Sequence, residues 1–296
     1  MADLEEVTEK TYRLEVLIPN TLWPSAMYFI NVGGGVLVEP GPGTAIPFIQ
    51  EAMRQIGMKD LAYIIPTHIH LDHGGGIGGL AQLFPQAKVV LHPQAVKHAI
   101  DPSRLIESTR MSFGEDFENR YGAILPVLEA QVEIAEDGGT ISVDGRKLQI
   151  IHAPGHAPHH IAIFDPETGC LFCGEALGLP MPWAKSSPVP TAAPPAFDPE
   201  VYQQTIEKLR KLKPRFLCYS HDGVGREPEE LIAKVIENTR IYSDMVLNAL
   251  REGDDIEAII ERFRAYIYDR FGVAVEQIDR VSLEGFIFYF KKNGLV

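Results

Sequence analysis

A short apolar run, Leu61-Ala62-Tyr63-Ile64-Ile65, is stopped by Pro66 and followed at once by Thr67-His68-Ile69-His70-Leu71-Asp72-His73-Gly74. The run reads as a buried strand, because five apolar residues bounded by proline are too few for a helix. The segment after it packs three histidines and a carboxylate into six residues. Polar, titratable side chains so close to a buried strand belong at the strand's open end, where α/β proteins place their ligands. In extended or turning backbone His68 and His70 point the same way and can grip one ion. Asp72 and His73 follow where the chain turns toward a helix, and can aim at a second point. Imidazole nitrogen with carboxylate oxygen suits zinc, iron or manganese.

The surrounding pattern is α/β. Residues 12–18 alternate like a strand, and 26–32 and 36–38 are apolar runs separated by Gly33, Gly34 and Gly35, the signature of a hairpin. Residues 45–57 put Ile46, Ile49, Met53 and Ile56 on one helical face. A glycine-rich stretch, Gly74 to Gly79, leads into a helix ending at Phe84, and Lys88–Leu91 is again a strand. Strand, helix, strand predicts layers of helix on sheet. From 131 to 175 turn signals (Gly138-Gly139, Asp144-Gly145, Asp165 to Gly169) separate strand-like runs. Residues 178–199 hold Pro180, Pro182, Pro188, Pro190, Pro194, Pro195 and Pro199, and read as a loop with little room for regular structure. A helix is expected at about 200–212 and a strand at 215–219. Beyond 226 the texture turns helical (228–251, 254–270, 274–290), with acids outnumbering bases.

Composition narrows the function. With 27 Lys+Arg against 40 Asp+Glu the formal charge is -13, a field that repels phosphate backbones, so no nucleic-acid partner is expected. No apolar run is long enough to span a bilayer, and the first ten residues lack a secretory core, so no membrane partner and a cytoplasmic location are expected. Three cysteines cannot build a disulfide framework. Cys170 and Cys173 read as small buried residues of a strand, as does Cys218.

His-x-His-x-Asp-His after a buried strand resembles the metallo-β-lactamase superfamily. Further elements of that pattern follow in order: Ile150 to His156 as strand and Pro-Gly-His turn, with His160 behind it; Leu171 to Glu175 as a hairpin end, with glutamate where the family has aspartate; and Phe216 to His221 as a short strand ending in histidine. The resemblance runs over roughly residues 12–225. It implies a four-layer αββα sandwich with the metals at one edge. The change of texture near Gly225 places a catalytic domain at 1–225 and a C-terminal helical region at 226–296, which is expected to cap the site or form a dimer interface. It implies His68, His70 and His156 on one metal, Asp72, His73 and His221 on a second, and the acid at 175 bridging them. Glu175 is one methylene longer than aspartate, which leaves open a bridge, binding to one ion, or a single-metal site. The cofactor implied is two divalent ions, zinc first, with iron or manganese as alternatives. A hydroxide held by both metals would attack a small ester, lactone, thioester, amide or phosphoester, with Asp72 carrying a proton to the leaving group. The alternative within the family is a mononuclear iron dioxygenase acting on a thiol or persulfide; a metal-binding protein without catalysis is the third reading.

Other residues carry weaker signals. His92 is placed near the site rim, and His152 reads as structural. His159 and His160 suit hydrogen bonding behind the ligands, and Asp222 is a neighbour of His221 or a turn residue. Trp23, Tyr28, Met181 and Trp183, with Arg104, Arg110, Phe113, Phe117, Arg120 and Tyr121, are candidates to frame a small-molecule substrate. Tyr28, Tyr121 and Tyr219 are candidates to polarise its carbonyl.

Overall fold

A computed structural model describes residues 3–17, 24–114, 116–276 and 278–296. Trp23 lies outside the described residues. The residues group into two compact units. The first comprises the chain through His152 with His159–Gly174 and Pro214–Arg226; the second comprises Ala153–Pro158, Glu175–Lys213 and Glu227–Val296.

The first unit is built on two sheets. In one, β1 (Asp3–Thr8), β2 (Thr11–Val16), β3 (Ser25–Ile30) and β4 (Val36–Val38) run as an antiparallel meander, and β5 (Tyr63–Ile65), β6 (Lys88–Leu91) and β7 (Val132–Ile134) continue it in parallel. Parallel neighbours need crossovers. These are α1 (Ile46–Gln55), then α2 (Leu71–Gly74) with α3 (Ile77–Leu83), then α4 (Pro93–Ile100), α5 (Ser103–Phe113) and α6 (Phe117–Tyr121). The second sheet has the order β15-β14-β11-β10-β9-β8, from β8 (Thr140–Val143), β9 (Arg146–His152), β10 (Ile161–Asp165), β11 (Cys170–Gly174), β14 (Phe216–Tyr219) and β15 (Val224–Gly225). Strand β14 lies parallel to β11.

Side chains alternate across a strand, and this alternation builds two cores. Met27, Phe29, Leu37, Ile64 and Val89 pack with Ile49, Met53, Leu80 and Ala95 of the helices. The intervening residues, Ala26, Tyr28, Ile30, Val36, Val38, Ile65 and Val90, pack against Ile150, Ile161, Ile163, Phe172 and Cys218 of the second sheet. Both faces of β3 are therefore buried, which is why it is apolar at every position from Ala26 to Ile30. All three cysteines are buried and unbridged.

The second unit is mostly helical: α7 (Pro199–Arg210), α8 (Pro228–Arg251), α9 (Ile256–Phe271) and α10 (Arg280–Lys292). Asp198, Asp255 and Asp279 cap α7, α9 and α10 by accepting backbone N–H bonds. Its core is aromatic, with ring centroids 4.7 Å apart for Phe197–Phe286 and 4.6 Å for Tyr242–Phe263. The proline-rich segment is more regular than its composition suggests. It holds a two-stranded ribbon, β12 (Leu179–Met181) and β13 (Ser187–Val189), in which Pro180 faces Pro188. Proline is tolerated there because neither strand has a second neighbour demanding its missing N–H. Among the described residues no helix is long and apolar enough to cross a membrane. Two sheets with helices, and a helical C-terminal region, are what the resemblance implies.

Candidate metal centre

Strand β5 ends at Ile65, and the chain beyond Pro66 is pinned from behind. Thr67 N donates to Glu39 Oε1 at 2.7 Å. His70 is still extended (φ −60°, ψ 149°) and caps the single turn of α2, so the chain changes from alternation to helix between His70 and Asp72. This change brings His68 and His70 together, with His68 Nε2 2.9 Å from His70 Nδ1. It sends Asp72 and His73 elsewhere. Asp72 Oδ2 lies 3.4 Å from His73 Nε2 and 3.5 Å from His221 Nε2.

His221 arrives from the end of β14. Ala26 N donates to Ser220 O at 2.7 Å, and the Tyr28 hydroxyl donates to Tyr219 O at 2.6 Å and Gly223 O at 3.1 Å. Tyr28 is thus a buried strut rather than a substrate contact. Asp222, at φ 59°, is the turn residue that lets His221 face Asp72. Burial raises its pKa.

In the second unit His156 Nε2 lies 2.9 Å from Glu175 Oε2. Gly155, at φ 128°, lets the chain before His156 approach α7: a Cβ there would sit 2.4 Å from Tyr202 Cα. The Glu175 carbonyl is held by Gly178 N (3.1 Å), Thr191 Oγ1 (3.1 Å) and the Tyr202 hydroxyl (3.0 Å).

The donor chemistry fits metal ions. His73 Nδ1 donates to Glu39 Oε2 at 2.5 Å, His221 Nδ1 to Pro24 O at 3.0 Å, and His156 Nδ1 to Thr191 O at 3.0 Å; His68 Nδ1 lies 3.0 Å from Thr67 Oγ1. In each ring a partner occupies Nδ1 and fixes its orientation, which leaves Nε2 as the donor. Asp72, His73 and His221 offer one ligand atom each within 4.8 Å of one another. Their 3.4–3.5 Å separations are long for hydrogen bonds. They match the edge of a tetrahedron with metal–ligand bonds of about 2.1 Å, roughly 3.4 Å.

The electrostatics keep both acids ionised. Burial works against the charge on Asp72, but His73 and His221 outweigh it and hold the carboxyl well below its ordinary pKa. Glu39 shows the same balance, burial opposed by His73 and by hydrogen bonds from Thr67, with a net lowering. Asp72 is 35% exposed whereas Glu39 is buried, so only Asp72 is open to a substrate.

The match to a known family covers residues 20–221, more than half of the chain, and that family is described as the metallo-beta-lactamase superfamily. The chain belongs to it. A metallo-beta-lactamase fold-containing protein of Sulfurisphaera tokodaii is 29% identical over 171 residues, 56% of this chain and 62% of that protein. A hydroxyacylglutathione hydrolase of Legionella pneumophila is 28% identical over 158 residues, 53% of this chain and 48% of the hydrolase. The match thus spans about half of the hydrolase and less than two thirds of the archaeal protein. Among solved structures, a metallo-beta-lactamase family protein of Thermus thermophilus superposes with a TM-score of 0.74 at 22% identity, covering 98% of this chain and 95% of that one.

Against this superfamily frame the remaining polar residues sort by contact. Glu39 was not anticipated from sequence. The signal was there: an acid between the buried strand Val36–Val38 and Pro40-Gly41, at φ 61°. His160 is buried and stacks on His68, with ring centroids 4.9 Å apart, and His159 lies 6.2 Å from the same ring. Gly174, at φ 55°, makes room behind them: a Cβ would meet Thr67 Oγ1 at 2.5 Å and His160 Nε2 at 2.6 Å. His92 caps α4, its Nδ1 accepting from Gln94 N at 3.1 Å, while His152 Nε2 donates to Ala135 O at 2.6 Å. Burial, then the neighbouring His152, lowers the His92 pKa to about 4. Arg110 and Arg120 lie over the rings of Phe117 and Tyr121. Tyr121 and Phe117 pack with Leu71 of α2, and burial followed by the Asp72 charge raises the Tyr121 pKa. Tyr219 is a buried core residue.

Proposed function

We propose that this chain is a metal-dependent hydrolase of a small ester, lactone, thioester or phosphoester. The observation that carries the reading is the Asp72–His73–His221 triad, in which both rings have Nδ1 engaged and Nε2 turned toward one carboxylate. On this reading Asp72, His73 and His221 hold one divalent ion, and His68, His70, His156 and Glu175 hold a second. The ligand pattern of the family supports that grouping. Residues 1–225 act as the catalytic domain and 226–296 as a helical region, in a reducing cytoplasm that suits three free cysteines.

Divalent ions there would acidify a water and withdraw charge from the carbonyl or phosphoryl group under attack. The protein's part is positioning and proton traffic. Glu39 keeps the proton of His73 on Nδ1, so Nε2 stays a donor. Asp72, the exposed member of its triad, accepts the proton released by the attacking water and delivers it to the leaving group. Glu175, fixed through its carbonyl, sets how far its longer side chain reaches.

The test is elemental analysis of protein purified without a metal-affinity tag, with hydrolysis assayed on an ester, a lactone, a hydroxyacyl thioester and a phosphodiester. About two divalent ions per chain are expected, with hydrolysis of at least one substrate. Asp72→Asn should lower kcat by roughly 10²–10⁴-fold, and Glu175→Ala should lose one ion. One iron per chain, no hydrolysis, and oxygen uptake with a thiol or persulfide would overturn the reading in favour of a dioxygenase.

A further inference from the structure

Helix α10 has a covered face and a bare one. Ser282, Leu283, Gly285, Phe286 and Phe290 are buried. Gly285 is the closest approach, where a Cβ would stand 2.0 Å from Ala192 O. On the opposite face Val281 is 52% exposed and Phe288 41%, and Leu295, just past the helix end, is 45% exposed. At about 100° per residue, positions seven apart fall only about 20° from alignment, so Val281 and Phe288 form one apolar stripe along the helix. Beside it runs a groove of about 590 Å³ lined by Pro194, Glu284, Ile287, Phe288, Lys291 and Lys292. An aromatic knob thus stands next to an open groove on one face of one helix.

The charges along the stripe are arranged about Phe288. Glu284 stands four residues before it and Lys292 four residues after. When two identical helices cross antiparallel at Phe288, the residue n places before it faces the residue n places after it in the other copy. Glu284 then faces Lys292 twice, once on each side of the two-fold axis. A parallel pairing would set Glu284 against Glu284. Both charges are already held beside the stripe: Arg280 Nε donates to Glu284 Oε1 at 2.8 Å, and Lys292 Nζ lies 5.9 Å from the centre of the Phe288 ring.

We propose that this face of α10 is a homodimer interface. Two copies pack antiparallel about Phe288, each seats Phe288 in the groove of the other, and reciprocal Glu284–Lys292 pairs set the register. Such an interface is isologous and closes on itself. An anionic membrane surface is the poorer occupant, because Glu284 lies within the stripe and the chain carries a net charge of -13. Since the stripe is one helix long, the interface sits at the small end of specific interfaces, and a dissociation constant on the order of 10 µM is expected.

Sedimentation velocity of the full chain between about 1 and 300 µM tests this. The wild type should shift from monomer to dimer across that range. Glu284→Lys and Lys292→Glu each set like charges face to face twice, and each should weaken the dimer roughly tenfold or more. The double variant Glu284→Lys/Lys292→Glu should restore it to within about threefold of wild type, and Phe288→Asp should abolish it. Circular dichroism checks that every variant stays folded, as exposed positions allow. A monomer at every concentration overturns the proposal, and if that monomer sediments with anionic vesicles the face is a membrane surface instead. A dimer that ignores Glu284→Lys, Lys292→Glu and Phe288→Asp also overturns it, because the contact then lies elsewhere.

Discussion

The two units brace their metal-type donors differently. In the first, buried charge joins the bracing: the carboxylate of Glu39 holds His73, while neutral oxygens of Pro24 and Thr67 stand behind His221 and His68, and elsewhere Asp165 holds Arg146 in the interior. In the second, neutral groups brace the donors, at the His156 ring and at the Glu175 backbone. The Thr191 carbonyl orients His156, while the hydroxyls of Thr191 and Tyr202 fix the carbonyl of Glu175. The ion pairs of the second unit lie largely at its surface, as with Arg210–Glu229 and Arg280–Glu257. A buried carboxylate binds strongly but is costly when its partner is lost, whereas a neutral hydrogen bond contributes less and costs less to remove. The first unit should therefore respond to single substitutions more sharply than the second.

The largest effect is expected at Asp165. This buried acid accepts from Arg146 Nε (2.9 Å) and the Thr168 hydroxyl (2.5 Å), and Arg146 also donates to Thr11 Oγ1 at 2.9 Å. Asp165→Ala leaves a buried guanidinium without its counter-charge and should cost about 3–5 kcal/mol in urea unfolding. A loss under about 1 kcal/mol would show that the pair does not behave as buried charge. Next comes Glu39→Gln, which keeps shape but removes the charge behind His73. Metal affinity measured by chelator competition should fall by about 10–100-fold with little change in melting temperature. Unchanged affinity would remove the contrast between the two units.

His92 sharpens the contrast through pH. Its folded pKa is about 4, below the unfolded value of about 6.5. As pH falls below about 6.5, the unfolded chain takes up a proton that the folded chain refuses. The contribution of His92 is thus complete above that pH, declines toward pH 4 and levels off below it. A protonated ring also cannot accept from Gln94 N, so the cap of α4 is lost with the charge change. Unfolding free energies across this window should slope less in His92→Gln than in wild type, and equal slopes would refute the assignment. The smallest effect belongs to Tyr202→Phe in the second unit. Removing the hydroxyl from the Glu175 carbonyl should cost about 1 kcal/mol, since Gly178 N and Thr191 Oγ1 remain on the same oxygen. A loss several times larger would mean that the neutral bracing is as demanding as the charged.

Much of the first unit was legible in the residues themselves. Lys88–Leu91 forms the expected strand and the glycines at 33–35 join β3 to β4; in the second unit Pro228–Arg251 is the expected helix. Strand β1 was not anticipated, because DLEEVT has little apolar alternation and is held by its pairing with β2. The ribbon within the prolines was also missed, since proline forbids a central strand but not a two-stranded one. Within the helix expected at 274–290, periodicity alone did not say which phenylalanine is outside: Phe286 and Phe290 are buried, and Phe288 alone of the three faces outward.

By itself the sequence determined which side chains can ligate, because histidine and aspartate at the end of a buried strand have few other uses. It also determined that both faces of β3 are buried, because a strand apolar at successive positions presents apolar side chains to both sides. The tertiary structure alone decided what stands behind each donor. Glu39 reaches His73 across thirty-four residues, Pro24 reaches His221 across one hundred and ninety-seven, and Thr191 reaches His156 across thirty-five. A backbone carbonyl has no letter in the sequence, so a bond to one becomes visible only once the chain has folded.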